Sequence, residues 1–485
     1  MQLRVTLIFN KNMVHIKHTL KNPYAVYGLK HFLFKYGIPA ELNSEKIADI
    51  EINYNSLDKG GGKINILIFP NDLKKNITGY LRTNDDTTPL FELPKELSYE
   101  SGIASFQNRD NSYPCIFIDS NTLIIGFDIF NEIGSILSGH LNHLFDKQND
   151  EIKKLMKTPV VDILEKILFD SLQKLCQEND VKLDHKPFWP DKKKFAVCLT
   201  HDVDRVHKTY QYLPSIVRDI KRMNFSGILK QIKSMLFEHG ENNPYWNFNK
   251  IMELENKHVV KSTFFFLDES GKLNVFSFKS WILFAGRYRI DDPLITEIIK
   301  KLHKNGFEIG VHGSYNSYND LKLLKKEKDK LANIINNKIY GIRQHHLNFD
   351  ENTFNLYEKV GFEYDTTVGF QRGSGIGFKQ GTCFPYQPLN PDTKEEISLL
   401  EIPLVIMDTS LLSIEDKLSK CLEVINIVEK YNGVLVLLWH SNVFNDDYPE
   451  FADFYEKIIK EAKKRNAWIV PCNDVARWLK IRNEN

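Results

Sequence analysis

Five places in the chain set acid, base or ligand side chains at the ends of apolar runs. The run FAVCLT (195–200) leads into Thr200-His201-Asp202-Val203-Asp204, which places two carboxylates two residues apart. If the strand persists, both point to one face, and two carboxylates on one face repel unless a cation or a proton holds them. FEIGVH (307–312) delivers His312, followed by Gly313-Ser314-Tyr315-Asn316, and IYGIR (339–343) delivers Arg343, followed by Gln344-His345-His346. Tyr364-Asp365-Thr366-Thr367 comes next, and VLVLLWH (434–440) ends in His440. A DxD pair alone is commonplace in solvated loops, and a lone His at a strand end is more often packed or solvent-facing than a ligand. Recurrence at five strand ends is harder to ascribe to coincidence, and the chemistry it offers is that of a cation site flanked by acid–base groups.

The elements that must position these groups are legible from residue 195 onward. Seven short apolar runs, the four above with STFFFL (262–267), LLEIPLVI (399–406) and AWIVP (467–471), alternate with helical patterns near 246–257, 293–304, 321–336, 351–360, 414–431 and 448–464. That alternation predicts a parallel (β/α) barrel of seven strands, whose working residues sit at the C-terminal ends of the strands. The first 180 residues mix strand-like runs (KINILIFP, YPCIFID, TLIIGFDIF) with helical patterns near 22–36 and 158–175, which predicts a smaller α/β domain. The polar stretch QENDVKLDHKPFWPDKKK carries two prolines and no apolar period, so the domains are expected at 1–180 and 186–485.

A chain of 485 residues is too long for one ordinary core, which agrees with two domains. Its 64 basic and 63 acidic residues leave no global field for nucleic acid or an anionic membrane, and a neutral partner such as a sugar fits better. Six cysteines (Cys115, Cys176, Cys198, Cys383, Cys421, Cys472) lack CxxC or finger spacing, which argues against a zinc cluster or a disulfide framework. The opening MQLRVTLIFNKNMVHIKHTL has no leader-like apolar core, and no stretch approaches the length of a transmembrane span. A soluble, cytoplasmic protein is the expectation.

The ordered series Thr200-His201-Asp202-Val203-Asp204, His312 with Ser314, Arg343, Asp365 and Leu438-Trp439-His440 resembles the five motifs of NodB-type polysaccharide deacetylases, carbohydrate esterase family 4. The strings PYWNFNKIMELE, KSTFFFL, GFEIGVHGSYNS, GIRQHHLNFD and LEIPLVIMD resemble the bacterial subgroup in which that domain follows an uncharacterised N-terminal domain. The resemblance spans about 186–479; for 1–180 it rests on FDIFNEIGSIL and TPVVDILEKIL. It implies a distorted NodB-like barrel, an amino-sugar glycan as substrate and one divalent metal ion, zinc foremost. It further implies Asp202 as general base, Asp204 and His312 as metal ligands, Arg343 as the group that orients Asp202, His440 as general acid and Asp365 as the group that tunes His440. These types suit hydrolysis of an N-acetyl group: a divalent ion polarises the carbonyl and acidifies water, a carboxylate accepts the water's proton, and a protonated imidazole serves the departing amine.

The match departs from the family where a second histidine normally follows four residues after the first, because that position is Asn316. Asn316 is taken as a ligand through its carbonyl oxygen, which shifts preference toward harder ions; His345 or His346 is the other source of a nitrogen. The run 371–377 lacks the context of a phosphate-binding loop and reads as a mobile loop over a groove. Near it, Phe370, Phe378, Phe384 and Tyr386 have core packing as their commoner role and sugar stacking as the alternative. The Asn316 departure supports an alternative reading, a glycan-binding or scaffolding protein with a decayed metal site. Another alternative is a metal-dependent hydrolase of some other small C–N amide. A cytoplasmic deacetylase would act on a precursor, lipid-linked or nucleotide-linked.

Overall fold

The computed structural model describes residues 13–55, 60–99, 102–145, 149–269, 271–371, 373–412 and 414–484. Most of the stretch scanned for a leader, and Arg372 of the glycine-rich run, lie outside the described residues.

Among the described residues two nine-stranded sheets organise the chain. The first contains β1 (Val14–His18), β2 (Ala40–Leu42), β3 (Ile50–Tyr54), β4 (Ile64–Ile68), β5 (Gly79–Arg82), β6 (Thr87–Leu90), β7 (Gly102–Gln107), β8 (Ser112–Asp119) and β9 (Thr122–Ile125), in the order β2-β1-β3-β4-β9-β8-β7-β5-β6. It is parallel from β2 to β9 and antiparallel beyond. Its first helix, Pro23–Tyr36, is bounded as the residues dictate: Asn22 accepts the Tyr24 N–H, Pro23 occupies the first position, and Gly37 closes the helix at φ 58°. The run TLIIGFDIF is only half strand. It leaves the sheet at Ile125, and Asp128 caps a helix over Ile129–Leu137 by accepting the Asn131 N–H.

The second sheet is parallel throughout and comprises β10 (Ala196–Val203), β11 (Thr263–Leu267), β12 (Glu308–Gly313), β13 (Gly341–Gln344), β14 (Tyr364–Asp365), β15 (Leu400–Glu401), β16 (Leu404–Met407), β17 (Val434–Leu438) and β18 (Trp468–Ile469). The order is β15-β14-β13-β12-β11-β10-β17-β16, with β18 added on β10. The expected seven runs are all present, but LLEIPLVI splits at Pro403 into strands on opposite edges of the sheet. Proline has no N–H to give to a ladder, and the chain itself bridges the edges: Ile402 N–H donates to Asp365 O and Leu404 N–H to Val368 O. This crossing, with the short strand Tyr364–Asp365, makes the barrel distorted.

The two halves interlock through the helix Val160–Glu178. Asp162, fully buried in its first turn, accepts from Lys35 Nζ (2.6 Å), Thr382 Oγ1 (3.0 Å) and Cys383 N–H (2.8 Å), joining the first half to a loop of the second. The glycine-rich run is packed there at its C-terminal end, Ile376 and Gly377, while Gln371, Gly373 and Ser374 are exposed and Gln371 lines a cleft. Phe378 N–H donates to Met156 O at 2.7 Å, and a Cβ on Gly377, at φ 142°, would stand 2.1 Å from that same oxygen. Phe370, Phe378, Phe384 and Tyr386 are all buried and belong to the core, not to a groove. Among the described residues no helix is long and apolar enough to cross a membrane.

Candidate active site

The C-terminal ends of β10, β12, β13, β16 and β17 meet at a cleft of about 500 Å³ lined by Asp202, Asp204, His312, His345 and His440 among others. Alternation along β10 sorts the TxDxD segment. Thr200 and Asp202 point inward to the Arg343 guanidinium, whereas His201 points outward, where its Nε2 meets Glu255 (2.9 Å) and its Nδ1 meets the Trp439 carbonyl (2.7 Å). His201 is therefore a buttress of the strand.

Arg343 is fully buried. Nη1 donates to Asp202 Oδ1 (2.9 Å) and Thr200 Oγ1 (2.7 Å), Nε to Thr366 O (3.0 Å) and Nη2 to Thr366 Oγ1 (3.1 Å), with the guanidinium carbon 4.8 Å from the Phe265 ring centre. Only one oxygen of Asp202 is committed to this clamp, and Oδ2 faces the site, 3.8 Å from His312 Nε2.

Asp204, His312 and His345 present one ligand atom each, all within 4.8 Å of one another. His312 Nδ1 bonds the Arg343 carbonyl at 2.9 Å, and a carbonyl only accepts, so Nδ1 carries the proton and Nε2 of the neutral ring is a lone pair. That lone pair lies 3.2 Å from Asp204 Oδ1. Two acceptors at that distance require a proton or a metal cation between them. His345 differs: its Nε2 lies 3.6 Å from Asp204 Oδ1 and 3.2 Å from Arg287 Nη2, and its buried Nδ1, 3.9 Å from Glu269 Oε2, has no hydrogen bond.

The proton affinities follow. Burial pushes His345 down to about 3, a neutral ring. Burial would raise Asp204, but His345, His312 and Arg287 hold it well below the usual carboxylate range. Burial lowers His312, yet Asp202 and Asp204 more than reverse this and raise it. The spot thus attracts a cation, and an oxygen with two imidazole nitrogens is a donor set that a divalent metal of the zinc type accepts.

Asn316 is not part of this set. It is exposed at the start of a 3₁₀ turn, Ser317–Asn319, because the chain turns away from the barrel after Gly313. The third candidate is His345, which opens the 3₁₀ turn His345–Leu347 directly after β13, the strand whose Arg343 is in register with His312. His346 lines the cleft, is exposed, and adopts φ 59°.

Asp365 does not reach His440. It lies in register with Glu401, accepts from Thr367 Oγ1 at 2.6 Å, and shares a buried contact with the Glu401 carboxyl. Burial, then Asp365, drives Glu401 well above the usual range, so Glu401 is the protonated partner. The partner of His440 is Asp408, at the end of β16: Oδ1 meets His440 Nδ1 at 2.8 Å and Oδ2 accepts the His440 N–H at 2.7 Å. Burial opposes charge on this imidazole, but the fully buried Asp408 carboxylate prevails and His440 rises to about 9. Asp408 closes the string LEIPLVIMD, so the rule that drew attention to the other strand ends applies to it as well.

No family model and no curated protein matches the chain. Among solved structures it is similar to a putative polysaccharide deacetylase from Mycobacterium smegmatis, at 18% identity and TM-score 0.38 over 61% of this chain and 93% of that one. It is also similar to a probable polysaccharide deacetylase from Pseudomonas aeruginosa PAO1, at 14% identity and TM-score 0.41 over 61% and 95%, and to Puue allantoinase, at 16% identity and TM-score 0.41 over 61% and 94%.

Proposed function

We propose that this protein is a metal-dependent hydrolase that removes an N-acetyl group from an amino-sugar glycan or its precursor. The observation that carries the reading is the single cleft in which a clamped carboxylate, a three-residue cation site and a carboxylate-backed imidazole converge. A divalent cation held by Asp204, His312 and His345 would polarise the acyl carbonyl and acidify water.

The chain's own groups supply the remainder. Asp202, fixed through Oδ1 by Arg343, offers Oδ2 to take a proton from the attacking water. The C–O bond forms as the acyl carbonyl's π pair moves onto its oxygen. As that pair returns, the C–N bond breaks and the nitrogen takes a proton from His440, whose charged form Asp408 sustains. Acetate and an amine leave. His345 beside Asp204 and His312 supports an intact cation site despite Asn316.

The test is metal content by mass spectrometry together with acetate release from N-acetylated oligosaccharides. One divalent ion per chain, lost in His312→Ala and in His345→Ala but kept in Asn316→Ala, with turnover lost in Asp202→Ala, is the expected result. A metal-free, inactive wild type after addition of zinc, manganese, cobalt or nickel would overturn it.

A further inference from the structure

Between β10 and β11 the chain forms a helical hairpin, Tyr212–Lys221 and Phe225–Phe237, whose burial pattern is inverted. The residues it turns to the protein are polar. Ser215, Asp219 and Ser234 are at most 6% exposed, Tyr212 Oη bonds Ser234 Oγ at 2.9 Å, and Arg218 and Gln231 bond Asp447. The residues it turns to solvent are apolar: Leu213, Val217 and Ile220 on the first helix, Phe225, Leu229, Ile232 and Leu236 on the second. Each set follows a helical stripe, and Ile220, Leu229 and Phe225 are 57%, 69% and 73% exposed. A soluble surface does not ordinarily spend its apolar residues in this way.

The charge around the stripe chooses the occupant. Residues 205–237 carry seven basic side chains and one acidic in a protein otherwise balanced. Arg218 and Lys230 are matched by Asp447 and Asp446, but Lys221, Arg222 and Lys233 are exposed and pair with no carboxylate among the described residues. Docking of the stripe on a second copy about a two-fold axis would set these cations against themselves. An anionic bilayer takes both features, burying the apolar stripe below its headgroups and holding the cations at their level.

The hairpin is also an edge of the cleft. Arg205, Tyr210 and Gln211, just before it, line the cleft, and Tyr210 meets the Trp281 ring at 6.4 Å. Trp281 is the neighbour of Ile282, which lines the cleft, and lies in a segment whose Phe276 is 97% exposed. We propose that the hairpin docks the protein on an anionic membrane surface and presents the cleft to a glycan anchored in that membrane. The identity of the glycan rests on the hydrolase reading above; the docking does not.

The experiment is co-sedimentation of the full chain with vesicles of phosphatidylcholine alone or with about 30 mol% phosphatidylglycerol. Binding is expected only to the anionic vesicles. The double variant Leu229→Asp/Ile232→Asp should weaken it at least about ten-fold, and Lys221→Glu/Arg222→Glu/Lys233→Glu roughly a hundred-fold. All five positions are exposed and outside the cleft, so both variants should keep the wild-type rate of acetate release from a soluble oligosaccharide. Failure of the wild type to sediment, or variants that sediment equally, overturns the proposal. So does a dimer in light scattering that Leu229→Asp dissolves, which would give the face to a second copy. Lipid binding without acetate release from any soluble substrate leaves the docking standing and removes the hydrolase reading.

Discussion

Replacing Asp408 with Asn tests the acid half of the site in isolation. The shapes are matched, so His440 keeps a hydrogen-bonding neighbour and loses only the negative charge. Moving the imidazole from an ordinary 6.5 to about 9 corresponds to about 3 kcal/mol of preference for the charged ring. Burial, the largest opposing influence, then acts with less resistance, and in Asp408→Asn the imidazole should fall to its ordinary value or below. His440 must be protonated to serve the leaving nitrogen, so the alkaline limb of kcat/KM should move down by more than two pH units. At pH 8 the variant should retain on the order of a hundredth of wild-type activity, and it should recover part of the loss toward pH 6. A cation in the neighbouring site lowers the ring in both proteins, so the displacement between the two profiles is the diagnostic quantity. The assay is kcat/KM for an N-acetylated oligosaccharide from pH 5 to pH 10. An unmoved alkaline limb, or one that moves instead in Asp365→Asn, would refute the assignment. Stability carries the same sign: a raised imidazole stabilises the fold fully below its unfolded value near 6.5, and that contribution disappears as pH rises through about 9.

Other consequences are equally specific. Arg343→Met leaves the buried Asp202 carboxylate unpaired and should cost about 3–5 kcal/mol, read as a lowered denaturation midpoint, along with activity. Glu401→Gln should be nearly silent, within about 1 kcal/mol, because the glutamate is already protonated against Asp365; a large drop in thermal stability would show that the pair carries charge. Asp162→Ala removes the acceptor shared by Lys35, Thr382 and Cys383 and should cost about 3 kcal/mol, without changing the turnover of the fraction that stays folded. Asn316→Ala should change neither metal content nor activity, since that side chain faces solvent.

Much of this was legible in the residues. Strand ends are fixed by where apolar runs stop, and a parallel barrel gathers its strand ends on one rim, so Asp202, Asp204, His312, Arg343 and His440 could be named from order, together with Asp365, which pairs elsewhere. The glycine-rich loop and its four aromatics illustrate the opposite. Nothing local reveals that Met156 of the other half packs against Gly377, which buries the end of the loop and its aromatics while Gln371 at its start lines the cleft.

What the sequence determined by itself was the fold class, the alternation of strand and helix, and the list of groups able to do chemistry, because these follow from periodicity and from residue type. What only the tertiary structure decided was pairing. The choice of Asp408 over Asp365 for His440 depends on β16 lying beside β17, while β14 pairs with β15 at the far edge. The approach of His345, rather than Asn316, to Asp204 and His312 depends on the turn that follows β13 beside β12. The hairpin's inverted face could not be read either. Its stripe is an ordinary amphipathic pattern, and only Asp447, contributed from a loop more than two hundred residues away, shows which side is turned inward. Partners across a sheet and across a cleft are set by long-range packing, to which local periodicity is blind.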